Sequence, residues 1–134
     1  MTAVLTPGLV LEDAHFGPND RTKLALFAGA SGDHNPIHID IDFAKAAGMP
    51  DVFGHGMLSM AYAGRFLTGV APLEKLRSWN VRFVAIAPVH ARITCFGEVI
   101  SVDPVGSEAC ALLKIGARRD DGTVILEGTA TVAI

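Results

Sequence analysis

Asp33, Asn35 and His38 crowd around Pro36 in the run Ser31-Gly32-Asp33-His34-Asn35-Pro36-Ile37-His38. A carboxylate and an imidazole held this close can share a water, one taking a proton as the other gives one, and histidine titrates near neutral pH. The residue before a proline is pushed out of helical geometry, so the stretch is predicted to be a shaped loop. Taken singly, Asp33 would cap a turn and His38 would bond to backbone. Together, with Asn35 beside them, they favour a catalytic acid/base pair. Asn35 has two readings: it orients the loop or a substrate, or it forms an Asx turn ahead of Pro36. His34 and His38 have the four-residue spacing of helical metal ligands. Pro36 argues against a helix, and no Cys or Glu completes a set, so no metal is expected.

A second group, Gly54-His55-Gly56, precedes a long apolar run. A helix starting there would present unpaired N–H groups and a partial positive charge, able to stabilise an oxyanion. The ordinary alternative is a tight entry turn with His55 capping or packing, and the residues alone leave both open. His15 and His90 read as surface or strand-end residues. Cys95 and Cys110 have no metal-ligand spacing and sit in apolar runs, as small buried thiols do.

The elements that must hold these groups are legible in outline. Asn19-Asp20 opens a helix predicted from about 20 to 30, with Leu24, Phe27 and Ala28 on one face and Ser31-Gly32 as its stop. Residues 8–16 form a candidate first strand ending at Gly17-Pro18. Asp42 to Gly48 reads as a short capped helical turn. The segment 56–69 carries one charge, Arg65, and is expected to be a central helix buried on most sides, with Ala61, Ala63 and Gly64 allowing close backbone approach. Residues 79–85, 91–102, 109–115 and 124–132 read as strands, the second with poorer alternation, and the short turns between them predict an antiparallel meander. Helices first and strands after give an α+β class, one domain over 1–134, with the sheet curled round the central helix.

The 134 residues are half hydrophobic, with a net charge of -3 and a mean hydropathy of +0.39. That apolar content suggests surface buried against another subunit. The absence of a basic stripe excludes nucleic acid as the expected partner. With no apolar run long enough to span a bilayer and no signal-peptide pattern at residues 1–7, a cytoplasmic location without membrane association is expected. Arg65, Arg77 and Arg82 could meet substrate phosphates, although a solvated surface role is the commoner one for each.

The run Ser31-Gly32-Asp33-x-Asn35-Pro36-Ile37-His38, followed by Asp42, Ala44 and Gly48 and then by His55-Gly56-Met57, resembles the hydratase motif of the MaoC-like family. That family includes (R)-specific 2-enoyl-CoA hydratases and 3-hydroxyacyl-thioester dehydratases. Asn80-Val81-Arg82-Phe83 and Pro88-Val89 are similar to the family's strand after its central helix, so the resemblance runs over essentially the whole length. It implies a hot-dog fold and reversible hydration of trans-2-enoyl thioesters, with no cofactor. It further implies Asp33 and His38 as the catalytic pair, the Gly56 N–H as donor to the thioester carbonyl, and Asn35, His55 and Met57 on the substrate side. It also implies a coenzyme A or acyl-carrier-protein thioester as ligand and a homodimer, or else a heterodimer. Two departures stand out. Gly54 replaces the alanine common in relatives, and His34 adds a titratable group beside Asp33. The competing activities are a hot-dog thioesterase, with Asp33 activating water, and a non-catalytic acyl-thioester-binding subunit.

Overall fold

The computed structural model describes residues 4–134. The first helix, α1 (Arg21–Ser31), begins where Asp20 accepts a hydrogen bond from the Lys23 N–H at 2.8 Å, and it ends at Gly32. Gly32 adopts φ 75°, the left-handed geometry that closes a helix and suits glycine. Leu24 and Ala28 are buried, and Phe27 is half-buried against the core. After a single 3₁₀ turn at Pro36–His38, α2 (Ile41–Ala46) is capped by Asp40, whose carboxylate accepts from the Asp42 and Phe43 N–H groups. The short helix therefore starts slightly before the Asp42 start read from the sequence, because Asp40 is the residue in extended geometry whose carboxylate reaches forward to the first N–H groups of the helix.

The central helix, α3 (Gly56–Val70), matches the predicted span to within a residue. Its burial does not match. Leu58, Ser59, Tyr62, Ala63, Phe66 and Leu67 are buried, but Met57 is 55% exposed and Ala61 is also exposed. The low charge of the segment gave no direction, and within one chain the helix is covered on one face only.

The sheet contains β1 (Ala14–Phe16), β2 (Leu76–Phe83), β3 (Ile93–Val105), β4 (Glu108–Arg119) and β5 (Val124–Ala133). All neighbours are antiparallel, in the order β1-β3-β4-β5-β2. The sequential meander therefore holds for β3, β4 and β5 alone. β2 crosses to the far edge and pairs with β5, Trp79 opposite Ala130 and Val81 opposite Gly128. A register shift between Val99 and Ser101 accounts for the weak alternation of β3. A bulge of this kind offsets the inside–outside pattern by a residue, and Ile100 is left outward. The strand also continues through Asp103-Pro104 to Val105, past the turn expected there. β1 pairs only with Ile93 to Cys95, so the opposite end of β3, which holds Pro104, is an edge on one side, where proline is tolerated.

Ile93, Cys95, Val99, Leu113, Ile115, Ile125, Leu126, Ala130 and Val132 line the inner face of the sheet and pack in one core with the buried face of α3. A buried hydrogen bond pins the helix to the chain ahead of α1: the Tyr62 hydroxyl donates to Asn19 Oδ1 at 2.7 Å, with the Tyr62 ring stacked on Phe16. Both cysteines are free and buried, and burial pushes the Cys95 thiol up to about 12. This is the α+β hot-dog arrangement, a curled antiparallel sheet gripping one long helix. No helix among the described residues is long and apolar enough to cross a membrane.

Candidate active site

The loop after α1 is built from interlocking side chain-to-backbone bonds. Ser31 Oγ accepts from the Asp33 N–H at 3.2 Å, Asp33 Oδ1 from the Asn35 N–H at 3.2 Å, and Asn35 Oδ1 from the Ile37 N–H at 3.1 Å. Asn35 thus caps the 3₁₀ turn that begins at Pro36, the Asx geometry that is one of its two readings, and that turn delivers His38 inward. His38 is buried, whereas the Asp33 side chain is 50% exposed.

The backbone fixes the tautomer of His38. Its Nδ1 lies 2.7 Å from the Phe53 carbonyl oxygen, which can only accept, so Nδ1 carries the proton. In the neutral ring, Nε2 then has a free lone pair. Asp33 Oδ2 stands 3.9 Å from that Nε2, too far for a direct hydrogen bond and a separation suited to a bridging water.

His55 completes the cluster from the other side. It is the N-cap residue of α3, 1% exposed, and its side chain makes no capping bond to the helix. Its Nε2–H donates instead to the Asp33 carbonyl oxygen at 3.1 Å. Its ring stacks on that of His38 with centroids 3.9 Å apart and planes 26° from parallel. Burial pushes the His55 pKa below its ordinary value; proximity to His38 acts in the same direction, and the bond to the Asp33 carbonyl opposes both. The loop and the start of α3, separated in sequence, are therefore in contact. Gly56 follows as the first residue of α3, and Phe83 lies against it.

Asp33, His38 and His55 could be viewed as three metal ligands, since one donor atom from each lies within 4.8 Å of the others. The ring geometry opposes this. Imidazole lone pairs lie in the ring plane, and two nearly parallel stacked rings cannot both aim at one ion. One nitrogen of each ring is also already bonded to a carbonyl oxygen.

From Asp33 an open cleft of about 450 Å³ runs along the exposed face of α3, lined by Phe27, Ser31, Met57, Met60, Gly64 and Trp79. Of these, Phe27, Ser31, Met60, Gly64 and Trp79 were not singled out as site residues from the sequence. The i, i+3, i+4, i+7 spacing of Met57, Met60, Ala61 and Gly64 was the available signal, obscured by the equally apolar opposite face. Arg77 and Arg82 are not free cations: Arg77 makes a two-pronged contact with Glu108, and Arg82 pairs with Glu127. Arg65 lies over the Phe16 ring at 5.4 Å. Gly54 lies close to the neighbouring backbone. A Cβ there would sit 3.3 Å from the Ala87 carbonyl oxygen, which accepts the Gly54 N–H at 2.8 Å.

A family model described as the MaoC like domain matches residues 7–110, a span that contains the whole loop and all of α3. The chain belongs to the MaoC-like family. Among solved structures, a MaoC-like dehydratase is 31% identical, with a TM-score of 0.86 over 96% of this chain and 40% of that one. The 3-hydroxyacyl-thioester dehydratase Z of Mycobacterium tuberculosis is 31% identical over 91 residues, 63% of this chain and 60% of that enzyme. The fatty acid synthase subunit beta of Saccharomyces cerevisiae is 30% identical over 110 residues, which make up 79% of this MaoC-like chain but only 5% of the synthase subunit.

Proposed function

We propose that this MaoC-like chain reversibly adds water to trans-2-enoyl thioesters, giving (R)-3-hydroxyacyl thioesters. The observation that carries the reading is the placement of His38 Nε2, on a ring tied through Nδ1 to the Phe53 carbonyl, 3.9 Å from the Asp33 carboxylate and beside the N-terminus of α3. The names of the relatives and the family match support the same chemistry.

Hydration needs a base at the water, a proton at C2 and a counterweight for the enolate oxygen. Asp33 and His38 act as one coupled unit for the first two. A proton leaves the water as its oxygen bonds to C3, and a proton reaches C2 as the enolate collapses, so the pair ends each turnover as it began. The Gly56 N–H faces the charge that develops on the thioester oxygen, a contribution worth about 10²–10³ in rate for one such donor. The acyl group extends along the cleft over Met57, Met60 and Gly64. Asn35 sets the loop, with His55 and Met57 beside the substrate. The stereochemistry rests on the family resemblance, and no cofactor enters any step.

The working form is a dimer. Phe83 is 48% exposed, and Val84 and Ile86 beside it are also exposed, at the end of the edge strand β2; together with Met57 they form apolar surface next to the site. A second copy of this chain suits that surface, with a related subunit as the heterodimeric form.

Incubating the protein with crotonyl-CoA, and separately with the crotonyl carrier-protein thioester, tests the reading. Loss of the conjugated enoyl absorbance without thiol release is the expected result. Thiol release without hydration would assign a thioesterase instead, and tight binding with neither signal would assign a binding subunit.

A further inference from the structure

His55 does more than pack. We infer that it is a positioning residue, a neutral buried imidazole that fixes the Asp33 loop and the His38 ring relative to the start of α3. The inference rests on the hydratase reading above and deepens it.

Four observations converge. The Nε2–H of His55 holds the backbone carbonyl of Asp33, so the loop is tied at the residue whose carboxylate faces His38. The ring of His55 stacks on that of His38, and the Phe27 ring of α1 meets the His55 ring edge-on with centroids 4.9 Å apart, holding the imidazole between helix and loop. The next residue is Gly56, so the backbone that carries the ring also leads directly into the proposed oxyanion donor. Lastly, His55 Nδ1 is buried and has no hydrogen-bond partner among the described residues. An orphaned buried nitrogen is destabilising, and an apolar ring would fill the same space without that penalty. What an imidazole supplies here, and a phenyl does not, is the bond to the Asp33 carbonyl.

Charge state follows from the same contacts. The titratable groups facing His55 are Asp33, from the loop, and His38, from the 3₁₀ turn. With the two rings stacked, a proton on His55 would set a cation against His38 and so oppose a proton on that ring. A His55 that stays neutral leaves proton transfer to the coupled Asp33–His38 pair.

The test combines two variants with nuclear magnetic resonance of the intact protein. In His55→Ala the bond and the stack are both lost, and kcat on crotonyl-CoA should fall about 10²-fold, the scale on which small misplacements act, while KM changes little. In His55→Gln an amide N–H can still reach the Asp33 carbonyl, so kcat should recover in part. Long-range proton–nitrogen correlation spectra should show the wild-type His55 as the Nε2–H tautomer, still neutral at a pH where a free histidine is half protonated. Wild-type kcat in His55→Ala, or a change confined to KM, would overturn the inference. So would an Nδ1–H tautomer or an ordinary titration of His55. If the wild-type protein hydrates no enoyl thioester, the hydratase reading fails by itself. The tautomer and titration of His55 then decide the positioning role without reference to turnover.

Discussion

The two long faces of α3 are almost equally apolar and have opposite fates. One carries Leu58, Tyr62, Phe66 and Leu67 into the core, where the curled sheet covers them. The other carries Met57, Met60, Ala61 and Gly64 along an open cleft that begins at Asp33. Composition does not separate them, and side-chain size does so only partly. Bulky residues fill the covered face, while Ala61 and Gly64 keep the open face shallow enough for a ligand. One face supplies stability and the other, in the hydratase reading, supplies room for an acyl chain.

That division can be broken from either side. The largest effect is expected on the covered face. Leu67→Ala removes a side chain that is 2% exposed, and it should cost about 2–5 kcal/mol in urea unfolding. At temperatures where the variant stays folded, kcat should be close to that of the wild type. On the open face the order reverses. A Cβ on Gly64 would stand 3.5 Å from the Trp79 ring, and a longer side chain would project into the cleft. Gly64→Leu should leave stability within about 1 kcal/mol of wild type, since leaving glycine favours the helix. Its KM for longer enoyl thioesters should rise steeply. Equal losses of stability in both variants would erase the distinction between the faces.

The sequence made the helix legible but not the division between its two faces, for physical reasons. Local signals were sufficient for α1, where Asp20 and Gly32 mark both ends, and for the proline-shaped loop bearing Asp33, Asn35 and His38. The start of α3 at Gly56 was also readable, because the apolar run begins there. Non-local facts were not readable. Nothing in residues 76–83 says that β2 pairs with β5 instead of its sequence neighbour β3. The stack of His55 on His38 likewise depends on the docking of a loop onto a helix start, which no spacing encodes. The covered and open faces of α3 became distinguishable only once the sheet had chosen a side.

A smaller effect should come from pH. The pKa of His55 is lowered in the folded protein, chiefly by burial, from an ordinary value of 6.5. The unfolded chain therefore binds the proton more readily, and stability rises with pH where the two states differ in protonation. The contribution is complete above pH 6.5, falls away as the pH drops from there towards the folded pKa, and levels off below it. Thermal melting across mildly acidic pH should show this decline, and His55→Gln should flatten it. The smallest effect is expected far from α3, at the β4–β5 turn. Arg119 holds the Asp121 carboxyl well below the usual carboxylate range, with help from the Thr123 N–H and hydroxyl. Asp121→Asn should lower the melting temperature slightly and leave turnover unchanged.

The central claim is that Asp33 and His38 act together on one water. Its most direct measurement is the hydration rate of crotonyl-CoA by Asp33→Asn and His38→Gln, with melting curves recorded on the same samples. Each variant should fold and lose at least about 10²-fold in kcat, the lower end of what a positioned acid or base contributes. Near-normal turnover in either folded variant would contradict the account.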